Sequence, residues 1–249
     1  MADREAVELG AVQRTLFFPL AARAQETGRK RPLLRDPKAV EIAATLDFDA
    51  AKYTMTLNTS FVVLRTMIMD LWVSQFLDRH PNGTVVELGT GLNTRFERTD
   101  NGTVHWIDLL DEDWLAAVEQ LPGPYFFVSD GVLVYLREDA VTGALARIAS
   151  RFPGAMLAFD TYPQRTFAWE HRMAAKRNLP LWLWPVDDPR TLERLGLRLI
   201  ESAGVTRPPA GLLARLPARY RFLLPLGGRL MGNGPAISLF QAAPAPAVT

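Results

Sequence analysis

The stretch TVVELGTGLNTRFERTDNGTVHWIDLL, residues 84–110, constrains the fold more than any other part of the chain. A β-branched apolar run enters the loop Gly89-Thr90-Gly91, and a second run, VHWI, ends on Asp108, 17 residues after Gly91. Short β-branched or aromatic runs alternating with helical stretches are the pattern of βαβ units and a parallel sheet. The same pattern predicts strands at 84–88, 104–107, 125–128 and 155–159, with a helix over 138–151. Runs at 197–201 and 236–240 would close the sheet with an antiparallel edge. Upstream there is no strand signal. Residues 15–26 and RPLLRDPKAVEI read as short helices, the second with Asp36 as N-cap and Pro37 at its first position. A long helix over 60–79 is apolar on nearly every side, and such helices are buried.

Composition narrows the partners. Lys plus Arg number 28 against 27 Asp plus Glu, a net charge of +1 that gives no reason to expect nucleic acid or an anionic membrane. The basic cluster Arg29-Lys30-Arg31 reads as a solvated loop. There is no cysteine, so disulfides, thiolate metal sites and a thiol nucleophile are excluded. His80, His105 and His171 are scattered without ligand spacing, and no metal site is expected. No apolar run approaches the roughly 18 residues that cross a bilayer, and the acids in MADREAVELG do not fit a signal peptide. The expectation is a cytoplasmic enzyme or binding protein.

In open α/β sheets the loop after the first strand contacts the ligand at the switch point. Glycines there permit positive φ and a close backbone approach. The third glycine of a dinucleotide fingerprint is replaced by Thr94, and the G-K-[ST] of a P-loop is absent. Asp108 stands where a carboxylate accepts the hydroxyls of a ribose. A nucleoside without phosphates, as in S-adenosylmethionine, fits this set best. A nicotinamide-dependent oxidoreductase is the alternative, disfavoured by Thr94.

VVELGTGLNTR, WIDL and VSDGVLVYL, in order with RPLLRDPKAVEI and LRTMIMDLWV upstream, resemble the leucine carboxyl methyltransferase superfamily. Its bacterial polyketide-synthesis O-methyltransferase branch is the more similar. The resemblance runs from about residue 11 to 240 and implies a class I methyltransferase fold, a Rossmann-like α/β sheet with helices on both faces. Its strand order would be 3-2-1-4-5-7-6. Residues 1–58 would form an N-terminal helical lid. Residues 59–249 would form the S-adenosylmethionine-binding domain, with substrate-lid insertions at about 161–195 and 206–235. It further implies that Gly89 and Gly91 carry the methionine part of the cofactor, Asp108 the ribose, Arg65 the carboxylate and Asp130 the amino group. Arg23 would be a further carboxylate contact. Two positions depart from the family pattern: Asn93 stands where Asp is usual, and Asp130 where Glu is usual.

Methyl transfer from a sulfonium is an in-line displacement in which alignment supplies most of the catalysis. A carboxylate acceptor needs no base. A hydroxyl acceptor benefits from one, and the candidates are Asp160, Tyr162 and His171. Asp70 reads as structural. The acceptor, a small molecule of polyketide, amino-acid or protein-carboxylate type, is expected in a pocket built from the lid and the aromatic segment with Trp169, Trp182 and Trp184. A non-catalytic relative that binds a partner through the lid is the third reading.

Only 16 residues separate Asp108 from Tyr125, and DEDWLAAVEQL fills most of them as one helix. A parallel third strand needs a crossover of about a dozen residues plus the strand. That strand is therefore expected to be missing, and the peptide across 108–111 is the place to look for a break.

Overall fold

The computed structural model describes residues 10–53, 56–100, 104–107, 114–177, 179–218, 220–222, 224 and 234–244. Its sheet consists of β1 (Thr84–Leu88), β2 (Val104–Ile107), β3 (Tyr125–Ser129), β4 (Met156–Thr161), β5 (Leu197–Ala203) and β6 (Ala236–Ala242). The order is β2-β1-β3-β4-β6-β5, parallel from β2 to β4 and antiparallel at both junctions of β6. The antiparallel strand thus lies one place inside the edge, and β5 at the edge runs in the direction of β1–β4. Among the described residues this is the expected class I order without its third strand. Among the described residues β2 is the other edge. The break expected across 108–111 falls outside the described residues.

Helices cover both faces. The first described element is a 3₁₀ turn (Gln13–Leu16), followed by α1 (Phe17–Thr27), α2 (Pro37–Thr45), α3 (Ala50–Tyr53) and the 24-residue α4 (Thr56–Arg79). After β1 come α5 (Arg95–Thr99), α6 (Trp114–Glu119), α7 (Glu138–Arg151), α8 (Gln164–Arg177) and α9 (Ala210–Arg215). Successive strand residues point to opposite faces, and the cores follow that alternation. Val85, Phe126, Val128 and Ala158 meet Ile68, Met69, Trp72 and Phe76 of α4. Val86, Phe127, Leu157 and Phe159 meet Val141, Leu145 and Ile148 of α7 on the other side. Strands buried on both faces read as continuous apolar runs, which is why 84–88 and 125–128 were visible in the sequence, the latter one residue short of β3.

Thr59–Arg79 is, by length and composition, apolar enough to cross a membrane, against the expectation from the sequence. It is mostly buried here, because Trp72, Val73 and Phe76 are spent on the sheet. Asp36 caps α2 as expected, its side chain accepting from the Ala39 N–H, with Pro37 following. Phe17, Leu20 and Ala39 form a small cluster of their own, with Leu92 of the glycine loop packed against it. The N-terminal helices therefore sit over the end of β1.

Candidate functional site

The carboxyl ends of β1, β3 and β4 lie side by side, through the pairings Glu87 with Val128 and Ser129 with Phe159. Three loop glycines there have left-handed backbones. Gly89 has φ +69°, and a Cβ on it would lie 2.8 Å from Val132. Gly91 has φ +50°, and a Cβ would collide with Leu16, so the N-terminal segment rests directly on the loop. Gly131, which sequence reasoning missed, has φ +74° and leaves room for the Arg65 guanidinium, 2.8 Å from where its Cβ would be.

Arg65 enters this space from α4, buried to 6% exposure. Its Nη1 donates to Asp160 at 3.0 Å and to the Tyr162 hydroxyl at 2.8 Å, and its Nε lies 2.6 Å from Asp130 Oδ1. That last contact is an ion pair without hydrogen-bond alignment, and both atoms are buried without a hydrogen-bond partner. Burial works against the Arg65 charge, but Asp130, Tyr162 and Asp160 more than offset it and hold the guanidinium protonated. Burial likewise opposes the Asp130 carboxylate, while Arg65 and Arg95 outweigh it and keep Asp130 below its ordinary range.

Behind this pair lies a lattice of charges that the sequence did not announce. Glu87, in the middle of β1 and 1% exposed, is met by Arg95 Nε at 2.8 Å and by the Asn93 amide at 2.6 Å. Arg95, fully buried, also reaches Asp70 and Asp130, the latter at 3.0 Å. Arg98 joins Asp70 to Asp36, both at 2.7 Å, and Arg23 pairs with Asp36 at 2.9 Å. Asp70 is structural, as expected. The Asn93 departure also has a physical reason: an Asp there would set a second carboxylate against Glu87, whereas the amide donates to it. Arg23 lines the site, but its Nε and Nη2 are engaged by Asp36 and by the Leu92 carbonyl.

A cavity of about 400 Å³ opens in front of these groups, within the size range of small-molecule sites. One end is polar, with Arg23, Arg65, Gly89, Thr90, Asn93 and Asp130. The other is aromatic, with Phe18, Phe61, Tyr135, Tyr162, Trp169 and Trp182. Trp184 does not belong to it. That side chain is 2% exposed and packs in the core near Phe159.

Asp160, 2% exposed, accepts from Arg65, Tyr162 and the Gly131 N–H. Tyr162 lines the cavity, but burial and then Asp160 push its hydroxyl well above its ordinary value, so it is a donor and a poor base. His171 places Nε2 2.9 Å from the Trp182 carbonyl and its ring against Phe167, and it does not line the cavity. Glu170, which sequence reasoning missed, does. Asp108 lies outside the described residues. Among the described residues no group of His, Asp and Glu could hold a metal.

The fold and the glycine-loop site define a class I methyltransferase, and the comparisons agree. The chain is 29% identical over 240 residues to the tetracenomycin polyketide synthesis O-methyltransferase TcmP of Streptomyces glaucescens, covering 82% of this chain and 87% of that one. It is 31% identical over 196 residues, 60% of this chain and 68% of the relative, to a Streptomyces avermitilis protein named as an S-adenosyl-L-methionine-dependent methyltransferase. A Thermobifida fusca crystal structure named as a methyltransferase superposes with a TM-score of 0.52 at 15% identity, over 89% of this chain and 94% of that one. No family model matches. This chain belongs to the S-adenosyl-L-methionine-dependent methyltransferases, and the oxidoreductase alternative is set aside. The 240 positions aligned with TcmP run along about 204 residues here, 82% of 249. About 36 positions of that alignment thus have no residue of this chain opposite them.

Proposed function

We propose that the chain is an O-methyltransferase that holds the methionine end of S-adenosylmethionine against the Arg65–Asp130 pair and methylates a small molecule of aromatic polyketide type. The observation that carries this reading is the unspent hydrogen-bonding capacity of that pair. Arg65 Nε and Asp130 Oδ1 are buried without hydrogen-bond partners at a cavity wall, where such groups are costly. An α-amino acid supplies both missing partners, its carboxylate to the guanidinium and its ammonium to Asp130. Thr90 Oγ1, also buried and unpartnered, lies on the same wall, and Gly89 leaves the backbone bare for the donor's methionine chain. When bound, the cofactor supplies the electrophilic methyl group. The protein's residues orient it and exclude water, which aligns donor and acceptor.

In this reading Asp108 receives the ribose, Gly91 lets the N-terminal helices close as a lid over residues 59–249, and Arg23 supports the carboxylate end from that lid. Segment 161–195 supplies the acceptor wall, and the protein acts in the cytoplasm. The test is calorimetric titration with S-adenosylhomocysteine. Arg65→Met is expected to weaken binding by about 1.5–3 kcal/mol, the value of hydrogen bonds to a charged group, and Asp108→Ala by a similar amount. Wild-type affinity in the folded Arg65→Met protein would refute the assignment.

A further inference from the structure

A buried side chain joins the two ends of the cavity. Tyr162 follows β4 directly, is 3% exposed and lines the cavity. Its hydroxyl belongs to the polar end, accepting from Arg65 Nη1 at 2.8 Å and donating to Asp160. Asp160 in turn takes the Gly131 N–H at 2.9 Å, one residue past Asp130, so the phenol is bonded into the cradle proposed for the methionine end of the cofactor. Its ring belongs to the aromatic end. The ring centroid lies 4.3 Å from that of Trp182 and 6.1 Å from that of Phe61, both residues of the cavity wall.

The backbone of Trp182 is pinned on both sides. The Leu183 N–H donates to the Val134 carbonyl at 2.7 Å, the Val186 N–H donates to the Tyr162 carbonyl at 2.8 Å, and the Trp182 carbonyl lies 2.9 Å from His171 Nε2. With its backbone fixed, the indole takes its tilt from the ring it leans on, and that ring is placed by the two bonds of its hydroxyl. At the polar end the opposite holds. Arg65 Nε and Asp130 Oδ1 stand 2.6 Å apart without hydrogen-bond alignment, each lacking a hydrogen-bond partner. A ligand that supplies those partners settles the guanidinium, and through Nη1 it settles the phenol. Ordering imposed by a first ligand need not be repeated by a second, which makes the two bind cooperatively. Such coupling is reciprocal.

We propose that Tyr162 is a positioning residue that couples the cofactor site to the acceptor site. The cofactor on Arg65 and Asp130 sets, through the Tyr162 hydroxyl, the ring on which Trp182 rests, so the acceptor binds better once the cofactor is in place. The proposal rests on the cofactor reading above.

Calorimetry with S-adenosylhomocysteine and 2-naphthol, a planar probe that suits aromatic walls, measures the coupling. Saturating S-adenosylhomocysteine is expected to raise naphthol affinity about fivefold or more, and naphthol to raise S-adenosylhomocysteine affinity by the same factor. In Tyr162→Phe, which keeps the ring, naphthol alone should bind as in the wild type while the coupling factor falls to about one. A direct loss of cofactor affinity cancels in that factor. Trp182→Leu cuts the same path at its far end and carries the test should Tyr162→Phe not fold: S-adenosylhomocysteine alone should bind as before, and the coupling should be lost. Phe167→Leu is the structural control, because Phe167 packs on Trp182 with centroids 5.6 Å apart. It should weaken naphthol with and without S-adenosylhomocysteine and keep the factor. A wild-type factor near one, no binding of naphthol, coupling that survives in Tyr162→Phe or in Trp182→Leu, or coupling lost equally in Phe167→Leu would overturn the proposal. Failure of S-adenosylhomocysteine itself to bind would instead defeat the cofactor reading, and the coupling with it.

Discussion

Replacing Arg95 by Met is expected to destabilise the fold by about 3–5 kcal/mol, the cost of removing one partner from a buried ion pair. The effect belongs at the upper end, because Arg95 is fully buried and serves three carboxylates, Glu87, Asp70 and Asp130. Methionine fills much of the volume, so the loss is electrostatic rather than a cavity effect, and its pH dependence has a definite sign. Burial already raises Glu87 against the pull of Arg95. An acid raised on folding contributes stability below its unfolded pKa and loses it as pH climbs through the folded one. Without Arg95 that penalty grows, so the variant should recover on acidification. In the wild type Asp130 is held below its ordinary range, so its contribution persists throughout the interval from pH 8 to pH 5 and leaves the change there to Glu87. The difference in melting temperature between the two proteins should therefore narrow from about pH 8 to about pH 5. A gap that stays constant or widens would show that the carboxylates are compensated elsewhere.

The same lattice marks the boundary of what the sequence reveals. Strands 84–88 and 104–107 and the helix over 138–151 were legible to the residue because each is a local pattern, a run buried on both faces or an amphipathic period. Asp36 as a cap was legible for the same reason. Arg65 stood out as a charge between the apolar runs FVVL and MIM of α4. Glu87, Arg95 and Arg98 did not, although Glu87 interrupts the apolar run VVEL. Their partners are set by the meeting of β1, α4, α5 and β3, and no local spacing encodes that meeting. α5 itself, five residues long, is held by those ion pairs more than by any periodicity. Trp169 and Trp184 show the same limit from the other side. Both are tryptophans near β4, yet one is half exposed at the cavity and the other is core, and only packing separates them.

Asp36→Ala is expected to be the second severe substitution, and it tests whether the N-terminal helices belong to the cofactor site. Asp36 is fully buried, and its two oxygens do different work. Oδ1 caps α2 through the Ala39 N–H at 3.0 Å, worth about 0.5–2 kcal/mol. Oδ2 joins Arg23 of α1 to Thr94 and Arg98 beside the glycine loop. Removing the charge leaves two buried guanidiniums short of a counter-ion, adding about 3–5 kcal/mol. Asp36→Asn keeps an oxygen for the cap and loses only the charge, so it should recover the capping part of the stability and not the remainder. Both variants should also bind S-adenosylhomocysteine about tenfold or more weakly, since Arg23 and Leu92 would no longer be latched over Gly91. Chemical denaturation separates the two energies, and titration at a temperature where Asp36→Asn is folded reads the coupling. If the folded variant binds with wild-type affinity, the helices over the loop serve stability alone, and closure of a lid is not part of cofactor capture.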